Sequence, residues 1–222
     1  MNRENIIGIL GGMGPYATNY FLKRFLDLTP VNLDKDHFHT IIDNNVKIPS
    51  RTRAVKYDEQ SPVNDIVVSI NNLGSIGCSC VMLPCNSVHY FYDSVCKKIN
   101  IPWLNMIEIV SKKILSLSYS KPLILGGFIT TSKKVYSEYL PQSVYLNQKE
   151  NLKVELIIEE IKKTNEVNEN SKQILKKIIN NYNDRIDSIL LACTELPIVI
   201  TEDYFNDKQA VSSIDEYIKY LL

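Results

Sequence analysis

Two short stretches end an apolar run on a thiol and then turn polar: Val81-Met82-Leu83-Pro84-Cys85-Asn86-Ser87 and Leu190-Leu191-Ala192-Cys193-Thr194-Glu195-Leu196. Their cysteines stand 108 residues apart. A cysteine does chemistry as its thiolate. At a strand end that leads into a helix, the first N–H groups and the helix dipole stabilise that charge. Asn86, Ser87, Thr194 and Glu195 are capping-type side chains for such turns, so each stretch can hold an anion, either the thiolate or a bound carboxylate. One activated cysteine suggests a nucleophile. Two on opposite faces of one carbon suggest proton transfer: a thiolate removes a proton from a stereocentre, the opposite thiol returns one to the other face, and the product is the mirror image. This chemistry uses no cofactor. Taken singly, either cysteine reads as a buried structural thiol. That reading is kept for Cys78, Cys80 and Cys96, which lack polar neighbours of this kind.

Apolar β-branched runs must position these thiols, and they alternate with segments of helical period. Strands are expected at 5–10, 37–45, 78–84, 121–127, 143–146 and 185–193. Helices are expected at about 15–27, 61–73, 87–99, 132–140, 151–163, 171–182 and 212–222, with a loop containing Ile48-Pro49-Ser50-Arg51-Thr52. The pattern implies an α/β fold with mainly parallel strands. It also repeats. Ile6–Thr18 resembles Pro122–Ser132, each with a Leu-Gly-Gly triplet, and the triplets lie 115 residues apart. A cysteine stretch follows each. Ligands of open parallel sheets sit at the carboxyl ends of strands, so two such halves facing each other place both cysteines at one cleft. The expected division is a first α/β domain of 1–105 plus the C-terminal helix 206–222, and a second of 106–205.

Composition excludes several classes. With 222 residues and 45% hydrophobic content the chain can bury a substantial core. Twenty-five basic residues balance 25 acidic ones, so no net field favours nucleic acid. No segment approaches the roughly 20 apolar residues of a membrane span, and the N-terminal run ends in glycines rather than a cleavage site, so a cytoplasmic protein is expected. Five cysteines, an odd number, suit reduced thiols. Cys78 and Cys80 have no partner pair or spaced histidines, so no metal site is expected.

The stretches Ile9–Thr18, Ile48–Thr52, Leu83–Tyr90 and Ala192–Pro197 together resemble the pyridoxal-phosphate-independent aspartate racemases of the aspartate/glutamate racemase family, in order over nearly the whole chain. The resemblance implies two pseudo-symmetric, Rossmann-like α/β domains, each a mainly parallel sheet flanked by helices. It also implies an active site in the interdomain cleft, no cofactor, and a homodimer. By position it makes Cys85 and Cys193 the paired acid and base, and Asn86, Ser87 and Thr194 the holders of the α-carboxylate. Arg51 becomes the cation on the substrate's carboxylate, for which a guanidinium offers a bidentate grip. Lys153 stands for a second substrate-binding cation, and Met13 and Thr130 for pocket-lining positions. Glu195 stands where related glutamate racemases carry histidine, which favours aspartate and gives the substrate's ammonium a carboxylate partner. His89, one helical turn after Cys85, is expected to pack behind it.

Other readings remain at this level. Gly12-Met13-Gly14-Pro15-Tyr16-Ala17 fits a loose dinucleotide pattern with Asp34 beyond it, but that explains neither the second glycine turn nor the paired cysteines. A glutamate racemase or maleate-type isomerase would share the cleft. A non-catalytic binding protein for acidic amino acids is the remaining class.

Overall fold

Ile7–Gly11 (β1) is buried at all five positions, as befits a strand with a parallel neighbour on each side and helices over both faces. Those neighbours are Thr40–Asn44 (β2) and Cys80–Met82 (β3), giving the order β2-β1-β3, and a parallel bridge from Val81 to Trp103 prolongs the sheet. Pro122–Leu125 (β4), Val144–Tyr145 (β5), Ser188–Leu191 (β6) and Ala210–Ser212 (β7) form a second parallel sheet in the order β5-β4-β6-β7. This is a computed structural model, and it describes residues 3–200 and 208–222.

The helices are Pro15–Leu28 (α1), Arg51–Tyr57 (α2), Val63–Ser75 (α3), Tyr92–Cys96 (α4) and Met106–Ser116 (α5). Phe128–Ser132 (α6), Gln148–Thr164 (α7), Glu169–Asn180 (α8), Leu196–Val199 (α9) and Ser213–Lys219 (α10) follow. Local chemistry starts many of them. Pro15 occupies the first turn of α1. Asn147 accepts from Glu150 N at 2.9 Å and returns Nδ2 to Glu150 Oε2 at 2.7 Å, a reciprocal cap for α7. Asn105, Asn168 and Ser212 cap α5, α8 and α10 in the same sense.

Strand alternation divides the interior. Ile7, Ile9, Cys80 and Met82 of the first sheet, and Ile124, Leu190 and Val211 of the second, all belong to one central core with Phe21, Phe25, Met106, Val110, Ile214 and Tyr217. The helices between the sheets are therefore α1, α5 and α10. Leu123, Leu125, Ile189 and Leu191 point the other way, onto Val154, Ile158 and Ile161 of α7 and Leu175 and Ile178 of α8. Leu10, Val81 and Leu83 face Ile66, Ile70 and Leu73 of α3. Truncating a fully buried leucine such as Leu190 would cost about 2–5 kcal/mol. Arg24 of α1 grips Asp215 of α10 through two bonds, of 3.0 and 2.6 Å, and fixes the C-terminal helix against the first half.

The α/β alternation expected from the sequence is present, with local differences. Residues 51–57, expected as loop, are helical, because Ser50 Oγ accepts from Arg53 N at 3.3 Å and starts a turn there. The helix expected at 132–140 lies earlier, at Phe128–Ser132: Gly127 caps it, and Lys134 at φ 48° leaves helical space directly after it. The segment 87–99 begins as a 3-10 turn at Ser87–Phe91 before α4. β7 and α5 add to the expected elements, β7 as an edge strand on the second sheet. No helix among the described residues is long and apolar enough to cross a membrane.

Candidate active site

Both cysteine stretches sit at carboxyl ends of strands, Cys85 beyond β3 and Cys193 beyond β6, and both thiols line one cavity formed by residues of both halves. Glycines let the chain turn there. Gly12 has φ +85°, and a Cβ on it would lie 2.3 Å from the Asn45 carbonyl carbon. In the second half, a Cβ on Gly126 would lie 2.9 Å from Ala192 O, so β4 and β6 could not approach at their ends. Thr18 locks the first turn by accepting from Gly12 N at 2.9 Å and donating to Gly14 O at 3.0 Å.

Eight of the ten residues singled out in the sequence line the cavity: Met13, Cys85, Asn86, Ser87, Thr130, Cys193, Thr194 and Glu195. Arg51 is placed just behind it, its Nη2 donating to Met13 O at 2.6 Å while Nε is buried without a partner. Lys153 is not brought in; it is exposed on α7. Lys162 of the same helix lines the cavity instead, with Nζ 3.9 Å from Glu195 Oε1. The two lysines are nine residues apart, about half a turn out of phase at roughly 100° per residue, so only one of them can face the cleft. The helical pattern does not separate them: Ile158, four residues before Lys162, and Ile157, four residues after Lys153, both lie on the buried face of the helix. Thr52 and Phe128 also line the cavity without a sequence signal of their own.

The thiols differ in surroundings. Cys193 donates to Glu195 Oε2 at 3.0 Å. Burial, followed by the Glu195 carboxylate, pushes its pKa well above the ordinary thiol value, against the pull of Lys162. Cys193 is therefore held as the thiol. Cys85 is buried, lies 3.3 Å from Ser87 Oγ, and points at Met13 O at 3.7 Å. Lys162 keeps its charge: burial lowers its pKa, but Glu195, Cys193 and Cys85 outweigh that and raise it overall. Glu195 is 2% exposed, and its Oε1 accepts no hydrogen bond. A cationic group entering the cavity would meet a buried carboxylate oxygen there.

Two sets of contacts hold the Cys85 stretch. Met106 N–H donates to His89 Nε2 at 3.1 Å, so Nδ1 carries the proton and donates to Cys85 O at 2.9 Å. Burial lowers the His89 pKa to about 4, which keeps the ring neutral and this tautomer fixed. The expected packing role of His89 thus has a definite form. The second set is a buried polar chain. Tyr136 OH donates to Asn86 Oδ1 at 2.5 Å, Asn86 Nδ2 to Ser213 Oγ at 3.0 Å, and Ser213 Oγ to Leu191 O at 2.8 Å. It joins the first half, the second half and the C-terminal helix at one asparagine beside the thiol.

The profile of the Asp/Glu/Hydantoin racemase family matches residues 10–216. The chain belongs to that family. Over 98% of its length this racemase superposes on 92% of the Picrophilus torridus aspartate racemase, with a TM-score of 0.88 and 28% identity. An aspartate racemase homologue from Pyrococcus horikoshii OT3 shares the fold at a TM-score of 0.80 and 23% identity, covering 98% of this chain and 97% of that one. In sequence it is 26% identical over 202 residues to the broad specificity amino-acid racemase of Bacillus subtilis (strain 168), across 88% of this chain and 87% of that protein. The racemase has the two-domain α/β architecture of these neighbours. It is an amino-acid racemase, an isomerase.

Proposed function

We propose that the enzyme racemises an acidic amino acid, L-aspartate foremost, by two-base proton transfer between Cys85 and Cys193 without a cofactor. The observation that carries this reading is the pair of thiols lining one cavity at equivalent strand ends of two facing sheets. In one direction the Cys85 thiolate takes the α-proton. The C–H electron pair passes into the substrate carboxylate, and the Cys193 thiol delivers its proton to the opposite face. The product leaves Cys85 as thiol and Cys193 as thiolate, and the reverse reaction restores them.

The surroundings suit that cycle. Glu195 is the partner for the substrate's ammonium. Pairing with it draws the carboxylate's charge away from Cys193 and makes the thiolate accessible when Cys193 acts as base. The Glu195 N–H, directed at Cys193 sulfur, stabilises the same thiolate. Asn86, Ser87 and Thr194 hold the α-carboxylate at the two strand ends, while Arg51 and Lys162 supply positive charge for a second carboxylate. A dicarboxylic amino acid fits this balance of one carboxylate and two cations.

The test is L-aspartate in deuterated water with no added cofactor. D-Aspartate carrying deuterium at the α-carbon is expected, and Cys85→Ser and Cys193→Ser should each lower turnover by more than about 10³-fold. Full turnover in either serine variant would refute the two-base cycle, and a protein that binds aspartate without exchanging its α-proton would be a binding protein.

A further inference from the structure

The cavity around the thiols is small, about 40 Å³. Beside it lies a larger pocket of about 330 Å³, bordered by Lys56, Leu146, Gln148, Asn151, Leu152 and Glu155. Phe128 belongs to the lining of both. Its helix, α6, packs against α2 from the first half and α7 from the second, so the ring stands where the inner cavity meets the outer pocket. Lys56 holds it from the outer side, with Nζ 5.1 Å from the ring centroid.

The outer pocket has chemistry of its own. Asn151 is 8% exposed; its Nδ2 donates to Glu155 Oε1 at 2.8 Å, and its Oδ1 is buried with no hydrogen-bond partner. An orphaned buried acceptor is costly unless a donor reaches it. Lys56, also at the border, is a donor. Oδ1 is closed to solvent as it stands, so a donor would reach it once the Asn151 amide turns toward the pocket, while Lys56 offers a donor from the border.

We propose that Phe128 is a size gate, closing the catalytic cavity to side chains longer than aspartate's and shutting off an outer pocket whose groups suit a terminal carboxamide. The amide N–H would meet Asn151 Oδ1, and the amide carbonyl would meet Lys56. The inference rests on the racemase reading above, because it takes the inner cavity to hold the reacting carbon. It makes Phe128 a specificity residue and Asn151 the outer contact.

The experiment compares α-deuterium exchange of L-aspartate, L-glutamine and L-norvaline by the whole enzyme and by Phe128→Ala. The glutamine-to-aspartate ratio should rise by about tenfold or more, the scale on which one methylene is discriminated in a closed pocket. Phe128→Leu should give a smaller shift in the same direction, and it serves as the test if the alanine variant folds poorly. Adding Asn151→Leu to Phe128→Ala should remove the gain for glutamine and leave the gain for norvaline. A ratio unchanged in both Phe128 variants overturns the gate, and a glutamine gain that survives Asn151→Leu overturns the carboxamide contact. Absence of aspartate exchange in the unaltered enzyme would count against the racemisation cycle alone. The gate is then read from calorimetric affinities of the same three amino acids, where the same ratio shift is expected.

Discussion

Removing the hydroxyl of Tyr136 tests the buried chain that holds Asn86. In Tyr136→Phe the ring stays, but Asn86 Oδ1 loses the donor that reached it at 2.5 Å. Asn86 is 2% exposed and Tyr136 fully buried, so water cannot replace the hydroxyl. An orphaned buried acceptor costs about 1–3 kcal/mol. At an m-value of about 3 kcal/mol/M the urea midpoint should fall by about 0.3–1 M, measured by far-ultraviolet circular dichroism. Ser213→Ala breaks the same chain at its other end, where Ser213 accepts from Asn86 and donates to Leu191 O. The two changes share Asn86, so the double variant should depart from additivity by more than about 0.5 kcal/mol. Aspartate α-exchange should also fall by more than about tenfold, because a small displacement of a positioning group costs rate steeply. A stability change below about 0.5 kcal/mol together with strict additivity would show that the chain does not hold the site as argued.

Protonation of His89 should set part of the acid sensitivity. Its folded pKa is lowered from 6.5 to about 4, so between those values the unfolded chain binds a proton that the native protein does not. Stability should fall as pH drops through that window, by about 1.4 kcal/mol per unit and about 3 kcal/mol in all. Urea midpoints from pH 7.5 to 4.5 should show a shallower slope for His89→Asn, and equal slopes would refute the assignment. Glu195→Gln should move the pH midpoint of Cys193 alkylation downward, measured in a Cys85→Ser, Cys96→Ser background, since a raising charge at 3.0 Å is removed while burial stays; an unchanged or higher midpoint counts against the role given to Glu195. Lys162→Met should reduce aspartate turnover by more than about tenfold while Lys153→Met stays within about twofold, and the opposite ranking would return the cation to Lys153.

Much of this molecule can be read from its sequence because its signals are local and repeated. β-Branched runs bounded by glycine turns give strands, and their repetition gives two facing halves with a thiol after the later strand of each. Cys85 with Asn86 and Ser87, and Cys193 with Thr194 and Glu195, are each contiguous, so recognising one member brings its neighbours. Boundaries were less legible where a single contact decided them. Ser50 turned an expected loop into α2, and the left-handed Lys134 ended α6 before an expected helix could begin.

The sequence by itself determined the alternating architecture, the two glycine turns and which two cysteines stand at equivalent strand ends, since each depends on residues adjacent in the chain. Tertiary structure alone decided which lysine faces the cleft, because Lys153 and Lys162 share a helix and differ only in the phase at which its apolar face docks on the second sheet. It alone joined Tyr136, Asn86 and Ser213 into one hydrogen-bonded chain, with separations of 50 and 127 residues. It also fixed the tautomer of His89, which depends on a backbone N–H at Met106 that no local pattern points to. The physical reason is the same in each case: a buried polar group takes its partner from whatever element packing brings within about 3 Å, and packing is a property of the whole chain.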